Sequence, residues 1–134
     1  IISKQLRIYR EKGKLNNVLF VKNITPESFL SLIKDCKCLI GNSSVGIRES
    51  SYLGVPTVNI GLRQNGRERA NNVIDVIHSS DEITKAIKRQ IKNGKYKSST
   101  LYGRGNAGLL IAKKLLNINI TNTQKKLNYA KWGT

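Results

Sequence analysis

Methionine is absent from this chain, even at position 1, so the sequence is expected to begin inside a longer gene product. Aromatic residues are scarce. One Trp, five Tyr and two Phe supply few of the stacking platforms by which proteins hold single-stranded nucleic acid. The single histidine, His78, and the two cysteines of a C-x-C, Cys36 and Cys38, fall short of the paired ligands that a zinc site requires. Neither a metal nor a cofactor is expected. Residues two apart in a strand share a face but are poorly placed for a mutual disulfide, so two buried thiols in a reducing cytoplasm are expected. No apolar run approaches the roughly 20 residues that span a bilayer. The N-terminal IISKQLRIYREKGK lacks the unbroken apolar centre of a signal peptide and reads as an amphipathic helix.

Acidic residues are also few: eight Asp and Glu stand against 24 Lys and Arg, a formal net charge of +16. Such an excess attracts nucleic acid, anionic membrane or phosphorylated small molecules. The basic residues are spread along the chain with no dense block beyond QKK near the end, which weighs against nucleic acid as the partner. What is present in quantity fits one soluble domain, with 39% hydrophobic and 24% charged residues over 134 positions.

Along the chain the periodicity alternates between helix and strand. A helix is predicted up to Gly13, a strand at Val18–Val21, and a helix opened by Thr25 as N-cap with Pro26 at its first position. Cys38–Ile40 reads as a strand ended by Gly41, and Ser44–Leu53 as a helix ended by Gly54. Val55–Ile60 and Val73–Ile77 are further strands, separated by a polar loop. Ser79 and Glu82 match a capping box ahead of a helix to about Lys92. Asn106 would cap a last helix over Ala107–Leu116. Residues 1–116 then form the domain, and 117–134 a docking arm or disordered tail. Short strands, apolar on both faces and alternating with helices, predict an α/β fold: a Rossmann-like parallel sheet of four strands with helices on both faces.

Ligands of such sheets sit at the carboxyl ends of the strands. Here those ends are residues 22–24, 41–44 and 61–67. The step through Gly41, Asn42, Ser43 and Ser44 offers backbone N–H groups and two hydroxyls to an anion. Gly46 would let a ligand lie against the first helical turn. Glu49, one turn further on, can accept two hydrogen bonds from vicinal hydroxyls such as those of a ribose. In the loop GLRQNGRER, Arg63 lies nearest the strand end, its planar fork suited to phosphate, with Gln64 and Arg67 in support. Taken singly, Ser43 is as well explained as a helix cap, Glu49 as a solvated surface residue, and Arg67 and Arg69 as solvated loop charges. Their coincidence at strand ends points to a nucleotide. G-x-G-x-x-G is missing, which argues against a dinucleotide.

The segment LIGNSSVGIRESSYLGVPTVNIGLRQNGRERANNV, followed by YGRGNAGLLIA, resembles the C-terminal nucleotide-binding half of the hydrolysing UDP-N-acetylglucosamine 2-epimerases over about residues 21–112. That resemblance implies a GT-B fold, two Rossmann-like layers across a cleft, with UDP-sugar as substrate. It implies the diphosphate on Ser43 and Ser44, the ribose on Glu49, Arg63 facing the phosphates, and the uracil against the backbone around Ile24. Arg7 and Arg10 match an R-x-x-R that some members use for feedback inhibition. The acid/base groups would come from an absent N-terminal domain, since nothing here matches them and His78 follows the wrong strand. Homo-oligomers are implied as well. Two other functions share parts of the pattern: a GT-B glycosyltransferase, and a non-catalytic module that binds polyanions through its charge.

Overall fold

In the computed structural model, which describes residues 2–118, the central strand is β2 (Thr57–Ile60). It pairs in parallel with β1 (Leu39–Gly41) on one side and β3 (Val73–Val76) on the other. Leu39 stands beside Thr57, and Thr57 beside Val73. β2 is buried because it alone has a neighbour on each side; β1 and β3 are only partly covered. The α/β Rossmann-like class read from the sequence is the class observed.

The fourth expected strand does not form. Val18–Val21 pairs with no strand, and Leu19 is 87% exposed. An apolar run becomes a strand only when another strand satisfies its backbone groups, and β1, three residues long, is paired to β2 alone. The segment is held instead near α1 (Ile2–Glu11), where the Arg10 guanidinium lies 5.9 Å above the Phe20 ring.

Helix α2 (Pro26–Asp35) starts as predicted, with the Thr25 hydroxyl oxygen accepting from the Ser28 N–H at 3.3 Å. α4 (Ser80–Asn93) starts with the Ser79 oxygen accepting from the Glu82 N–H at 3.5 Å. The reciprocal half of that box is missing, because the Ser79 N–H donates to the Ile77 carbonyl. α5 (Ala107–Leu116) has Asn106 at its N-cap position but no side-chain cap bond. Residues 119–134, most of the expected tail, lie outside the described residues.

The helix expected over Ser44–Leu53 is two pieces: a 3-10 turn (Ser44–Gly46) and α3 (Glu49–Leu53). The Gly46 and Ile47 N–H groups reach back only three residues, to Ser43 and Ser44. The Ser50 and Ser51 hydroxyls donate to the Gly46 and Ile47 carbonyls, both at 2.6 Å, a back-bond that bends helices. Gly46 is buried, and a Cβ there would lie 3.1 Å from Thr57 Cγ2. Its missing side chain lets the turn pack onto β2.

The core is small and unusually polar. Ile33, Ile47, Val55, Val58 and Ala86 are buried, together with Asn72 and Gln90. Asn72 Nδ2 donates to Ser50 Oγ at 3.1 Å and to the Val55 carbonyl at 2.8 Å, and its Oδ1 lies 2.9 Å from Ser51 Oγ, whose one proton it shares with the Ile47 carbonyl. Gln90, on α4, donates to the Thr57 and Asn72 carbonyls and accepts from the Tyr96 hydroxyl. After α4 the chain runs back along α3: the Tyr96 N–H donates to the Gly54 carbonyl and the Ser99 N–H to the Ser51 carbonyl. Residues 102–106 are thereby delivered to the N-terminal end of α3.

Candidate functional site

The loops after β1 and β2 meet at Asn42. Gln64 Nε2 donates to its carbonyl at 2.7 Å, and Arg63 Nη1 lies 3.5 Å from its side-chain oxygen, the long end of the hydrogen-bond range. The sequence-predicted group Gly41, Ser43, Ser44, Arg63 and Gln64 is thus assembled on one edge of the sheet. Gln64 is 4% exposed, and its Oε1 is buried without a partner among the described residues. Ser43 does cap the 3-10 turn, its oxygen accepting from the Val45 N–H at 3.4 Å. With a three-residue turn in place of a continuous helix, the dipole expected there is short, and hydroxyl, amide and guanidinium donors remain.

Arg67 is exposed, and its carbonyl accepts from Arg69 Nη1. Arg69 is not a solvated loop charge: it pairs with Asp75 on β3, at 3.0 Å, and also donates to the Gln64 carbonyl. Its role is to brace the loop. His78 packs on Gly61 at the end of β2: a Cβ on Gly61 would fall 2.4 Å from His78 Cε1, and φ there is +76°. Ile24 is 41% exposed. A shallow cleft of about 50 Å³ touches Ser43, Gly41 and Gly46 but neither Ile24 nor Arg63.

Glu49 faces a different and much larger space. A cavity of about 730 Å³ lies between α3, α2 and the 102–107 segment, within the range of small-ligand sites. Its floor is apolar, from Leu30, Tyr52, Leu53 and Leu110. Its polar rim is Arg48, Glu49, Ser99, Arg104 and Asn106. Glu49 is about one-third exposed, but its Oε2 is buried and accepts no hydrogen bond among the described residues. Its other oxygen is 4.0 Å from Arg48. A buried acceptor without a donor is costly, and because this oxygen is closed to solvent a ligand hydroxyl reaches it only when the carboxylate turns toward the cavity. The Tyr102 hydroxyl donates to the Glu68 carbonyl at 2.7 Å, latching the cavity's outer wall to the arginine loop. Arg48, Tyr102 and Arg104 were not singled out by site reasoning from the sequence, although all three lie in the segments that carry the family resemblance and glycines flank Arg104.

Both cysteines are free and half-buried rather than buried, with Cys36 at the end of α2 and Cys38 just before β1. Burial pushes both thiols above the ordinary 9.0, opposed at Cys36 by the nearby Lys95 ammonium. The folded state therefore favours the neutral thiol, a contribution present below about pH 9 and lost as pH rises through the folded-state values. Iodoacetamide at pH 7.5 is expected to alkylate the folded chain several-fold more slowly than the urea-unfolded chain, since the thiolate is the nucleophile. Equal rates by mass spectrometry would refute this. Among the described residues no cluster of three or more His, Cys, Asp and Glu could hold a metal, and no helix is long and apolar enough to cross a membrane.

A parallel α/β layer with a Gly-Ser turn and an arginine loop at the carboxyl ends of its strands is the kind of layer on which nucleotide sites are built. The chain belongs to the UDP-N-acetylglucosamine 2-epimerase family, whose profile matches residues 3–116, wider than the 21–112 seen by motif. It is 36% identical over 89 residues to a UDP-N,N'-diacetylbacillosamine 2-epimerase (hydrolyzing) of Legionella pneumophila, covering 66% of this chain and 24% of that protein. It is 44% identical over 75 residues to a GDP/UDP-N,N'-diacetylbacillosamine 2-epimerase (hydrolyzing) of Campylobacter jejuni, covering 56% and 19%. It is 35% identical over 79 residues to a UDP-N-acetylglucosamine 2-epimerase of Neisseria meningitidis, covering 59% and 21%. The chain thus spans about a quarter or less of the length of the curated relatives it matches.

Proposed function

We propose that this chain is the UDP-binding half of a hydrolysing UDP-N-acetylglucosamine 2-epimerase, working with an N-terminal Rossmann-like domain across a GT-B cleft. The observation that carries it is Glu49, a carboxylate with one unpartnered buried oxygen on the rim of a ligand-sized cavity, inside the family's signature segment. Glu49 accepts from the ribose hydroxyls. Ser43, Ser44 and Arg63 face the diphosphate, with Gln64, Gly41 and Arg67 shaping that loop, and the backbone near Ile24 meets the uracil. Uridine nucleotides occur in the names of all three relatives, once beside a guanosine nucleotide, while the sugar is N,N'-diacetylbacillosamine in two and N-acetylglucosamine in the third. Two of them are named as hydrolysing.

In the assembled enzyme the UDP-sugar loses its C2 proton to a base, and the C1–O bond breaks to release UDP and leave a glycal. Water then adds across the double bond, a proton to C2 from the opposite face and hydroxide to C1, giving N-acetylmannosamine. The acid and base come from the other domain. This chain holds the leaving group, so its arginines stabilise charge as UDP departs. Exposed apolar surface supports a partner domain: Leu109, Leu110, Ile111, Leu115 and Leu116 of α5 are all more than half exposed, and none of its residues is buried.

The test is thermal unfolding with UDP beside a single-stranded oligonucleotide at equal salt. UDP at a hundred times its Kd is expected to add about 2.7 kcal/mol of stability. Glu49→Ala should remove that gain without lowering the unliganded midpoint, because Glu49 makes no buried bond to lose and one unpartnered buried oxygen goes with it. Stabilisation by the oligonucleotide alone would sink the UDP site and favour a polyanion-binding module, the function for which the +16 charge speaks.

A further inference from the structure

Arg69 and Asp75 carry charge near the carboxyl ends of the strands without belonging to the nucleotide site as described. Asp75 lies on β3 in register with Asn59 of β2, which stands beside Gly41 at the end of β1. The Asn59 amide donates to Asp75 Oδ1 at 2.6 Å, so the carboxylate is fixed from the sheet side. It also takes the Arg69 guanidinium, with Nε 3.0 Å from Oδ2 and Nη2 3.2 Å from Oδ1. An ion pair whose carboxylate is half exposed adds little stability by itself. What sets this one apart is what the rest of the guanidinium holds. Nη2 donates to the Gln64 carbonyl at 3.0 Å, and Nη1 donates to the Arg67 carbonyl, so both ends of the 64–67 turn are tied to one plane. Gln64 in turn donates to the Asn42 carbonyl at 2.7 Å, and Arg63 Nη1 lies 3.5 Å from the Asn42 side-chain oxygen. Measured contacts thus run unbroken from β2 and β3 through Asp75 and Arg69 to both loops of the strand-end subsite.

We infer that Arg69 and Asp75 are positioning residues for the diphosphate: Asp75 aims Arg69, Arg69 braces the loop that carries Arg63, and neither touches the ligand. This rests on the UDP-binding function proposed above and keeps the diphosphate on Ser43, Ser44 and Arg63. Guanidinium suits the task because its five N–H donors lie in one rigid plane, enough for a carboxylate and two carbonyls at once, whereas an ammonium lacks the fork. Without the brace, the Arg63 loop would be ordered only as the ligand binds, and affinity would fall by that ordering cost.

The sign of the Asp75→Asn effect decides the matter. By charge alone, removing an anion near a diphosphate tightens UDP; if Asp75 works by holding Arg69, the same change weakens it. The whole chain is titrated calorimetrically with UDP and uridine, below each variant's unfolding midpoint. Asp75→Asn and Arg69→Ala are each expected to weaken UDP about threefold to thirtyfold and to leave uridine within about twofold. A merely structural loss would weaken both ligands alike. Arg69→Lys should fall between, and with Asp75→Asn it carries the test if Arg69→Ala does not fold. In a chain already carrying Arg63→Ala, Arg69→Ala should weaken UDP no further, whereas a direct phosphate contact would add its full effect. UDP affinity unchanged or raised by Asp75→Asn, or an Arg69→Ala effect that persists in full beside Arg63→Ala, overturns the assignment. The UDP site is judged separately, by wild-type binding and its loss in Glu49→Ala. A wild-type chain that binds neither ligand would remove that function and this inference together.

Discussion

Gly54→Ala is expected to lower the free energy of unfolding by about 3 kcal/mol or more, combining a left-handed backbone penalty of about 1–2 kcal/mol with a steric clash. Gly54 ends α3 at φ +66°, and its N–H closes the helix onto the Ser51 carbonyl. A Cβ there would sit 2.2 Å from the Tyr96 carbonyl oxygen and 3.1 Å from its carbon, backbone atoms with no flexible end to swing aside. The segment 96–99 would have to lift, breaking the Tyr96 N–H bond to the Gly54 carbonyl and loosening the Ser99 bond to Ser51. Since that segment delivers residues 102–106 to the Glu49 cavity, ligand-induced stabilisation should decline with stability. The control is Gly66→Ala, with φ +77° and nothing within 4 Å of the added carbon. Urea unfolding of the two variants should show Gly54→Ala as the more damaging by at least about 1 kcal/mol. Equal losses would mean that Tyr96 does not press on Gly54.

Gln90→Leu is expected to cost about 2–4 kcal/mol, lowering the unfolding midpoint by roughly 10 °C, although leucine is the more hydrophobic residue of similar size. Gln90 is fully buried. Its amide donates to the Thr57 carbonyl at 2.7 Å and the Asn72 carbonyl at 2.8 Å, and its oxygen accepts from the Tyr96 hydroxyl at 2.7 Å. Leucine would strip two buried carbonyls of a donor and the half-buried Tyr96 hydroxyl of its acceptor. The Asn72 carbonyl keeps the Thr57 N–H, which limits the loss. Adding Tyr96→Phe to Gln90→Leu should recover part of the cost by removing the stranded hydroxyl. A double variant no more stable than the single one would show that Tyr96 finds another partner.

The candidate site was legible in unequal parts. Gly41, Ser43, Ser44, Arg63 and Gln64 could be grouped from the sequence because a parallel sheet gathers the carboxyl ends of its strands on one edge. Glu49 could be picked out as a carboxylate one turn past Gly46, but not the cavity that it faces. The far wall of that cavity, from Ser99 to Ala107, is some fifty residues away in the chain. Nothing local marks Tyr102 as the partner of the Glu68 carbonyl, or Arg104 as a rim residue.

What the sequence determined by itself is the local and periodic part of this protein. The Thr25–Pro26 and Ser79 starts, the stop at Gly54 and the strands around Leu39, Val58 and Ile74 follow from capping chemistry, backbone sterics and apolar pattern over a few residues. The tertiary structure alone decided whatever depends on a distant partner. Val18–Val21 has the composition of a strand and is none, because no edge pairs with it. Asn72 and Gln90 look like surface residues and are core, because their amides meet carbonyls that only the folded sheet brings within 3 Å. A propensity is a property of neighbours in sequence, whereas a buried hydrogen bond exists only once both ends have been carried to the same place.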